Sequence, residues 1–485
     1  MDDLDLVSKL SDEERILLEH RMKNISPDDA KYGDSSAKLA DYLSYEAEWM
    51  GCAFVQLKLL EWRKEYGEAE EKNVREVEDA ISKISSLNMM LLEDKIHHDQ
   101  LAVIEEIGRF VSPETKSLLH PGTTSYDILD TARSYLYQGA WFNVIKNQTT
   151  EVVDKLCDLA EKSMDIIQTG RTHLQDTSPV TFGHMLSIYA RRLSDRISKM
   201  DDAFTELKGK ISGMVGTGAG IEMVIGKGTS ITFEKNVLEE LELQPDYTAT
   251  QIVQKEALAD VGHAITTTML VLGDFTNDIR LLYSSAIQEV TTRDNADRLG
   301  GSSTDAMKNN PINYENIAGT APVVMAGMIP LYSLIQSDLQ RDLRGSKTAR
   351  YQPQQMMVEL YESFARTSKV LDKLSINEDK IAENLQKVRD NPSEAMVTIL
   401  RGEKWIHSEY GVGHDFVKEM GKKAKREKRK LINVCLSDDK FLRMFKNLPQ
   451  NKKDILNGEM EKYTGSAKKR AKMNIDYSRD TIRRL

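Results

Sequence analysis

Residues 300–311, GGSSTDAMKNNP, gather groups suited to anion binding and acid–base chemistry. The paired glycines Gly300 and Gly301 open backbone conformations closed to other residues and let a loop move over a site. Lys308 and Asn310 offer donors for a carboxylate, and Glu315 shortly after adds a carboxylate able to orient a histidine. A mobile linker could share the Gly/Ser content. It would have no need of KNNPINYE running straight into a long apolar segment.

Four more polar clusters interrupt the apolar patterning. HPGTTSYDILDT (residues 120–131) reads as a turn at Pro121-Gly122 and a helix start capped by Thr124 or Ser125, where hydroxyls and unpaired amides also suit a carboxylate. In GRTHLQDTSPVTFG (170–183), His173 stands beside Arg171, Thr172, Gln175 and Asp176, so a proton-transferring histidine would have anion-binding neighbours. In IHHDQLA, His97 and His98 precede Asp99; adjacent histidines point to different sides of a helix, and neither has an i, i+4 partner, so a two-histidine metal site is not expected. A lone functional histidine or surface hydrogen bonding remain. In QRDLRGSKTAR (340–350), Arg341, Arg344, Lys347 and Arg350 with Ser346 could grip a phosphate, or form a solvated basic turn paired with Asp342.

Long helices must carry these loops. Only 11 prolines punctuate the 485 residues, and residues 182–207 place Phe182, Leu186, Tyr189, Leu193, Ile197, Met200 and Phe204 at helical spacing. Residues 252–290 look similar. Apolar positions on more than one face of both stretches suggest burial against several neighbours, including other subunits. The expected fold class is all-α, in three domains: an N-terminal helical domain 1–118, a central long-helix bundle 119–369 and a C-terminal helical domain 370–485.

Bulk properties narrow the partners. With 66 basic against 76 acidic residues, net −10, nucleic acid is not an expected partner. The basic runs at 422–430 and 467–473 read as solvated helix faces. Three scattered cysteines suggest neither disulfides nor zinc, and a reducing compartment fits best. The acidic start MDDLDLVSKL resembles no export signal. The uncharged stretch 317–337 contains Pro322 and Pro330 and reads as a buried helix rather than a membrane span. A soluble, cytoplasmic protein is expected.

Together the clusters resemble the fumarase and aspartase superfamily, most closely its adenylosuccinate lyase branch. On that superfamily's loop G-S-S-x-M-P-x-K-x-N-P with a glutamate beyond, Gly301, Ser302, Ser303, Lys308, Asn310, Pro311 and Glu315 match, while Asp305 and Ala306 replace Met-Pro. HPGTTSYDILDT is similar to the branch's H-x-G-x-T-S-x-D-x-x-D-T, and HHD to its histidine–aspartate pair. Arg341, Asp342, Ser346 and Arg350 match R-D-x-x-x-S-x-x-x-R, and SPDDAKYGD resembles the branch's N-terminal nucleotide-contacting stretch, with Lys31 at its arginine position. EKYTGSAKKRAKM resembles its closing segment. GRTHLQDTSPVTFG is closer to the fumarase and aspartase wording.

The resemblance implies a three-domain fold with a long central helical bundle and elimination of fumarate by cleavage of a bond beta to a carboxylate. It implies Ser302 as base, His173 as acid, His98 as the residue holding the succinyl group or assisting proton transfer, and Glu315 as the residue orienting a histidine. Lys308, Asn310, Thr124, Ser125, Thr172 and Gln251 would bind the carboxylates; Lys31, Tyr32, Arg341, Ser346 and Arg350 would take the nucleotide end. It implies no metal or organic cofactor, no membrane, a small nucleotide substrate, and a homotetramer with sites shared between subunits. Two alternatives stand beside this: a related lyase forming fumarate from another succinyl amine, and a catalytically silent relative in which Asp305 has replaced a working loop residue.

Overall fold

Helices dominate the chain, and strands occur only in short two-stranded pairs among the described residues, an all-α architecture. The structure is a computed structural model; it describes residues 10–23, 31, 33–292, 304, 305 and 308–485. Three helices are long: Phe182–Thr205 of 24 residues, Glu256–Tyr283 of 28 and Ser346–Lys373 of 28. The ladder expected in the first is buried at Phe182, Leu186, Tyr189, Leu193, Ile197, Met200 and Phe204. Burial of this stripe, rather than intrinsic propensity, stabilises such a helix.

The chain divides into two compact units, residues 1–150, 196–270 and 320–366 in the first and 151–195, 271–319 and 367–485 in the second. The divisions fall inside the three long helices and inside Lys146–Lys162 and Ile312–Ala326.

In the first unit, helix Tyr45–Glu65 packs against helix Ser125–Ala140 over a core that includes Leu60, Val103, Ile107, Ile128 and Ala132. Three buried ion pairs hold Ser125–Ala140 from one side. Asp127 meets the Lys210 ammonium with neither side chain exposed, Lys255 Nζ reaches Asp130 Oδ2 at 2.7 Å, and Arg133 Nε reaches Glu48 Oε2 at 2.8 Å. Residues 127, 130 and 133 share a helix face by their spacing. Asp127 also accepts the backbone N–H groups of Ser212 at 3.0 Å and Gly213 at 3.1 Å. Removing one partner of such a pair costs roughly 3–5 kcal/mol, so the first turn of this helix is firmly set.

In the second unit, the segment expected as a loop is a β-hairpin. Strand Ile167–Thr172 pairs antiparallel with Gln175–Thr181, and both pack on helix Glu378–Asp390. A separate C-terminal core centres on Met396, Trp405, Phe416 and Phe441, with Phe416 stacked on Phe441 at 5.6 Å.

The uncharged stretch 317–337 forms two helices, Ile312–Ala326 and Met328–Ser333, parted at Gly327. Ile317, Ala321, Val324, Met328 and Leu331 are buried, but Val323, Met325, Ile329 and Tyr332 are exposed. The expected burial therefore holds for one face only, because this chain covers only one side of a stripe that is apolar all round. Among the described residues no helix is long and apolar enough to cross a membrane. In the basic runs, Ala424, Ala467 and Ala471 turn inward while Lys422, Lys425, Arg426, Lys468 and Lys472 face solvent.

Candidate active site

His97 and His98 lie between two helices, contrary to the expectation that they point to different sides of one helix. His97 ends helix Ser86–Ile96 in the left-handed region (φ 58°), and His98 caps helix Asp99–Gly108. Its Nδ1 accepts the Leu101 N–H at 3.3 Å. A neutral imidazole with Nδ1 accepting carries its proton on Nε2. That nitrogen lies 3.4 Å from Ser125 Oγ, so the His98 N–H is directed at the Ser125 hydroxyl.

Ser125 opens helix Ser125–Ala140, and its neighbour Thr124 is the cap: Thr124 Oγ accepts the Asp127 N–H, and Asp127 Oδ2 accepts the Thr124 N–H at 2.6 Å. This reciprocal capping satisfies two otherwise unpaired amides. Upstream, Gly122 adopts φ 76°, and a Cβ there would stand 2.6 Å from the Gly220 carbonyl oxygen, so only glycine fits. The buried Arg63 guanidinium donates to the Leu118 and Pro121 carbonyls and ties down the same turn. His120, also in the left-handed region, accepts from Gln56 Nε2 at Nδ1 over 3.0 Å. Burial, with the nearby charges of Arg63 and His98, pushes its imidazole down to about 4, so it is neutral at pH 7.

Tyr126 links this turn to the arginine cluster. Its ring lies under the Arg341 guanidinium, 3.8 Å from centroid to carbon, and its hydroxyl is 3.4 Å from Ser346 Oγ. Arg341 Nη1 donates to Gln251 Oε1 at 3.1 Å. Tyr126, Arg341 and Ser346, with Lys255, Gln336 and Asp342, line a cleft open to solvent. Arg344 forms the solvated basic turn expected as the alternative to a phosphate grip: it pairs with Asp342 at 2.7 Å and Asp338 at 2.9 Å, and its hydrogen bond holds the Asp342 carboxyl well below the usual range. Arg350 sits half-buried on helix Ser346–Lys373 with Nε lacking a hydrogen-bond partner among the described residues.

In the second unit, His173 and Leu174 form the tip of the hairpin, with φ 54° and 58°, between the paired Thr172 and Gln175. A two-residue hairpin turn of this hand normally uses Asn or Gly, and each left-handed L-residue costs roughly 1–2 kcal/mol. His173 is exposed, as is Thr172. Arg171, two residues before His173, is held by Glu289 and Asp176 at 2.6 Å and 3.1 Å. Burial opposes the Arg171 charge, but the Glu289 hydrogen bond and attraction outweigh it and raise its pKa.

Further along, the Lys308 N–H donates to the Asp305 carbonyl at 3.2 Å; Asp305 and Lys308 are exposed and Asn310 is half-buried. Asn309, which sequence reasoning passed over, donates to the Tyr283 hydroxyl at 2.6 Å. Glu315 is exposed in the first turn of Ile312–Ala326, and Lys31 is exposed in the first unit. Ser302 and Tyr32 lie outside the described residues.

The first unit thus joins His98, Ser125, Thr124, Gln251, Arg341 and Ser346 through Tyr126, while His173, Thr172, Lys308, Asn310 and Glu315 belong to the second. Sequence reasoning missed His120, Tyr126 and Glu289. His120 and Tyr126 were within reach, since both lie inside the HPGTTSYDILDT stretch.

The family model described as Lyase matches residues 38–326, more than half of the chain. The chain is 29% identical over 398 residues to the adenylosuccinate lyase of Pyrococcus abyssi, covering 81% of this chain and 84% of that one. It is 25% identical over 467 residues to the adenylosuccinate lyase of Archaeoglobus fulgidus, covering 95% and 100%. Among solved structures, the 3-carboxy-cis,cis-muconate lactonizing enzyme of Pseudomonas putida superposes with a TM-score of 0.79 at 19% identity, covering 92% of this chain and 97% of that one. A fumarate lyase from Mesorhizobium sp. BNC1 superposes with a TM-score of 0.78 at 19% identity, covering 91% and 97%. At that identity the likeness is one of fold, but the family model covers more than half of the chain, and the chain belongs to the lyase family of the fumarase and aspartase superfamily.

Proposed function

We propose that the chain is an adenylosuccinate lyase, a carbon–nitrogen lyase that eliminates fumarate from adenylosuccinate and from the succinyl-carboxamide ribotide of purine biosynthesis. The observation that carries this reading is the first turn of helix Ser125–Ala140. Ser125 meets His98 on one side, and the adjacent Tyr126 meets Arg341 and Ser346 on the other. One helix start thus sets a serine and a histidine beside an arginine and a second serine, groups suited to a carboxylate and to a phosphate, as a succinyl nucleotide requires. The adenylosuccinate lyases among the relatives support the same substrate.

In this reading Ser302 removes the proton from the carbon beside the succinyl carboxylate, the carbon's electron pair forms the new double bond, and the C–N bond breaks. His173 protonates the departing nitrogen. Lys308, Asn310, Thr124, Ser125, Thr172 and Gln251 stabilise the carboxylates, including the aci-carboxylate formed on proton removal. Arg341, Ser346 and Arg350, with Lys31 and Tyr32, hold the nucleotide end; His98 holds the succinyl group, and Glu315 orients a histidine. No metal or organic cofactor enters the scheme. The working form is a cytoplasmic homotetramer with sites shared between subunits; the exposed apolar Val323, Met325, Ile329 and Tyr332 support contact between subunits but not their number.

The test is fumarate release from adenylosuccinate by the purified protein, with Ser302→Ala as control. No release from the native protein would falsify the assignment. Release that survives the substitution would remove Ser302 from its role. A panel of other succinyl amines then separates a lyase of different substrate from a silent relative.

A further inference from the structure

Four hydrogen bonds converge on one buried carboxylate in the second unit. The Glu289 side chain has no exposed surface. Its Oε1 accepts from Arg171 Nη2 at 2.6 Å and Asn384 Nδ2 at 2.9 Å; its Oε2 accepts from Gln168 Nε2 at 2.7 Å and Arg171 Nη1 at 3.1 Å. A carboxylate has about four lone-pair sites, so all are occupied, and Glu289 has no capacity left for substrate. Its backbone is committed as well: the N–H donates to Leu282 O at 2.9 Å, and the carbonyl accepts from Asn377 N at 3.0 Å.

Gln168 and Arg171 both belong to strand Ile167–Thr172, and Arg171 also reaches Asp176 Oδ1 on the returning strand at 3.1 Å. Glu289 therefore grips one strand directly and the other through Arg171. An isolated two-stranded hairpin is marginal in water. This one also carries two left-handed L-residues at its tip, a local cost that its anchorage must offset. The bidentate fork resists rotation as well as translation, which a single-point contact does not.

We propose that Glu289 is a positioning residue that, through Arg171, fixes the hairpin presenting His173 and so sets the direction in which that imidazole delivers its proton. The role of His173 rests on the lyase reading; the clamp itself does not. The test uses the full-length protein with Arg171→Lys, which keeps the charge but loses the fork, and Glu289→Gln, which keeps the volume but loses the charge. Hydrogen–deuterium exchange is followed on peptides spanning 167–181, alongside steady-state fumarate release.

In both variants exchange is expected to accelerate in 167–181 and not across the chain. kcat should fall on the order of 10²-fold, the loss typical of a misplaced reacting group, with KM moving by less than about 3-fold. Unchanged exchange in the hairpin, exchange accelerated uniformly, or kcat retained within about 2-fold in the lysine variant would each overturn the proposal. Should Glu289→Gln fail to fold, Arg171→Lys decides alone. Should the native protein release no fumarate, the lyase reading fails, while local acceleration in 167–181 still upholds the clamp and its absence still sinks it.

Discussion

The Arg341 guanidinium lies 3.8 Å from the centroid of the Tyr126 ring while its Nη1 donates to Gln251 at 3.1 Å. An aromatic face and an amide oxygen thus aim one planar cation into the cleft with part of its donor fork uncommitted to either. Tyr126→Leu removes the face and leaves the guanidinium to rotate. A cation–π contact is worth about 0.5–2 kcal/mol, so KM for adenylosuccinate is expected to rise about 2- to 30-fold with kcat little changed. Tyr126→Phe keeps the ring and forfeits only the 3.4 Å contact to Ser346, and its effect should be smaller. Steady-state kinetics with both variants check the order, and equal effects would show that the ring face is not what holds Arg341.

Thr124 and Ser125 are neighbours with different jobs. Thr124 closes a capping box with Asp127, whereas Ser125 faces His98 Nε2. Thr124→Ala is expected to lower stability by about 1 kcal/mol, within the 0.5–2 range for lost caps. Ser125→Ala should stay within about 0.5 kcal/mol of the native protein, yet reduce kcat/KM more than the Thr124 variant does. Urea unfolding and fumarate release, run on the same two proteins, should rank them in opposite orders. Identical ranking would mean that Ser125 matters only through the fold.

The long helices were legible because burial imposes a period: residues 182–207 show it, and the helix runs Phe182–Thr205. The hairpin was not legible. GRTHLQDTSPVTFG has no strand alternation, and what makes it a hairpin is tertiary, since Gln168 and Arg171 are anchored on a carboxylate about 120 residues away. Its turn gives no glycine or asparagine signal either. The site shows the same division. Polar residues betray themselves locally, so His98, His173, Arg341 and Ser346 stand out as candidates by type and spacing. Tyr126 lies inside HPGTTSYDILDT, but its link to the arginine cluster is not visible there, because its partner Ser346 stands 220 residues on. Histidine orientation was misjudged where a helix was assumed to continue: a left-handed His97 breaks it, and His98 becomes a cap whose tautomer is set by the Leu101 amide.

His120 makes stability depend on pH with a definite sign. Its ordinary value is about 6.5 in an unfolded chain. Burial, then Arg63 and His98, push it down to about 4 in the folded protein. As pH falls below 6.5 the unfolded chain takes up a proton that the folded chain refuses, so stability declines until about pH 4 and this contribution changes no further below it. The gap corresponds to at most about 3 kcal/mol. His120→Asn tests this, since asparagine tolerates the left-handed backbone (φ 73°), can still accept from Gln56 and does not titrate in this range. Urea midpoints for the native protein should fall more steeply between pH 6.5 and 4.5 than those of the variant. Parallel profiles would assign the acid sensitivity to other groups and would mean that His120 is protonated in place, as a cation beside Arg63.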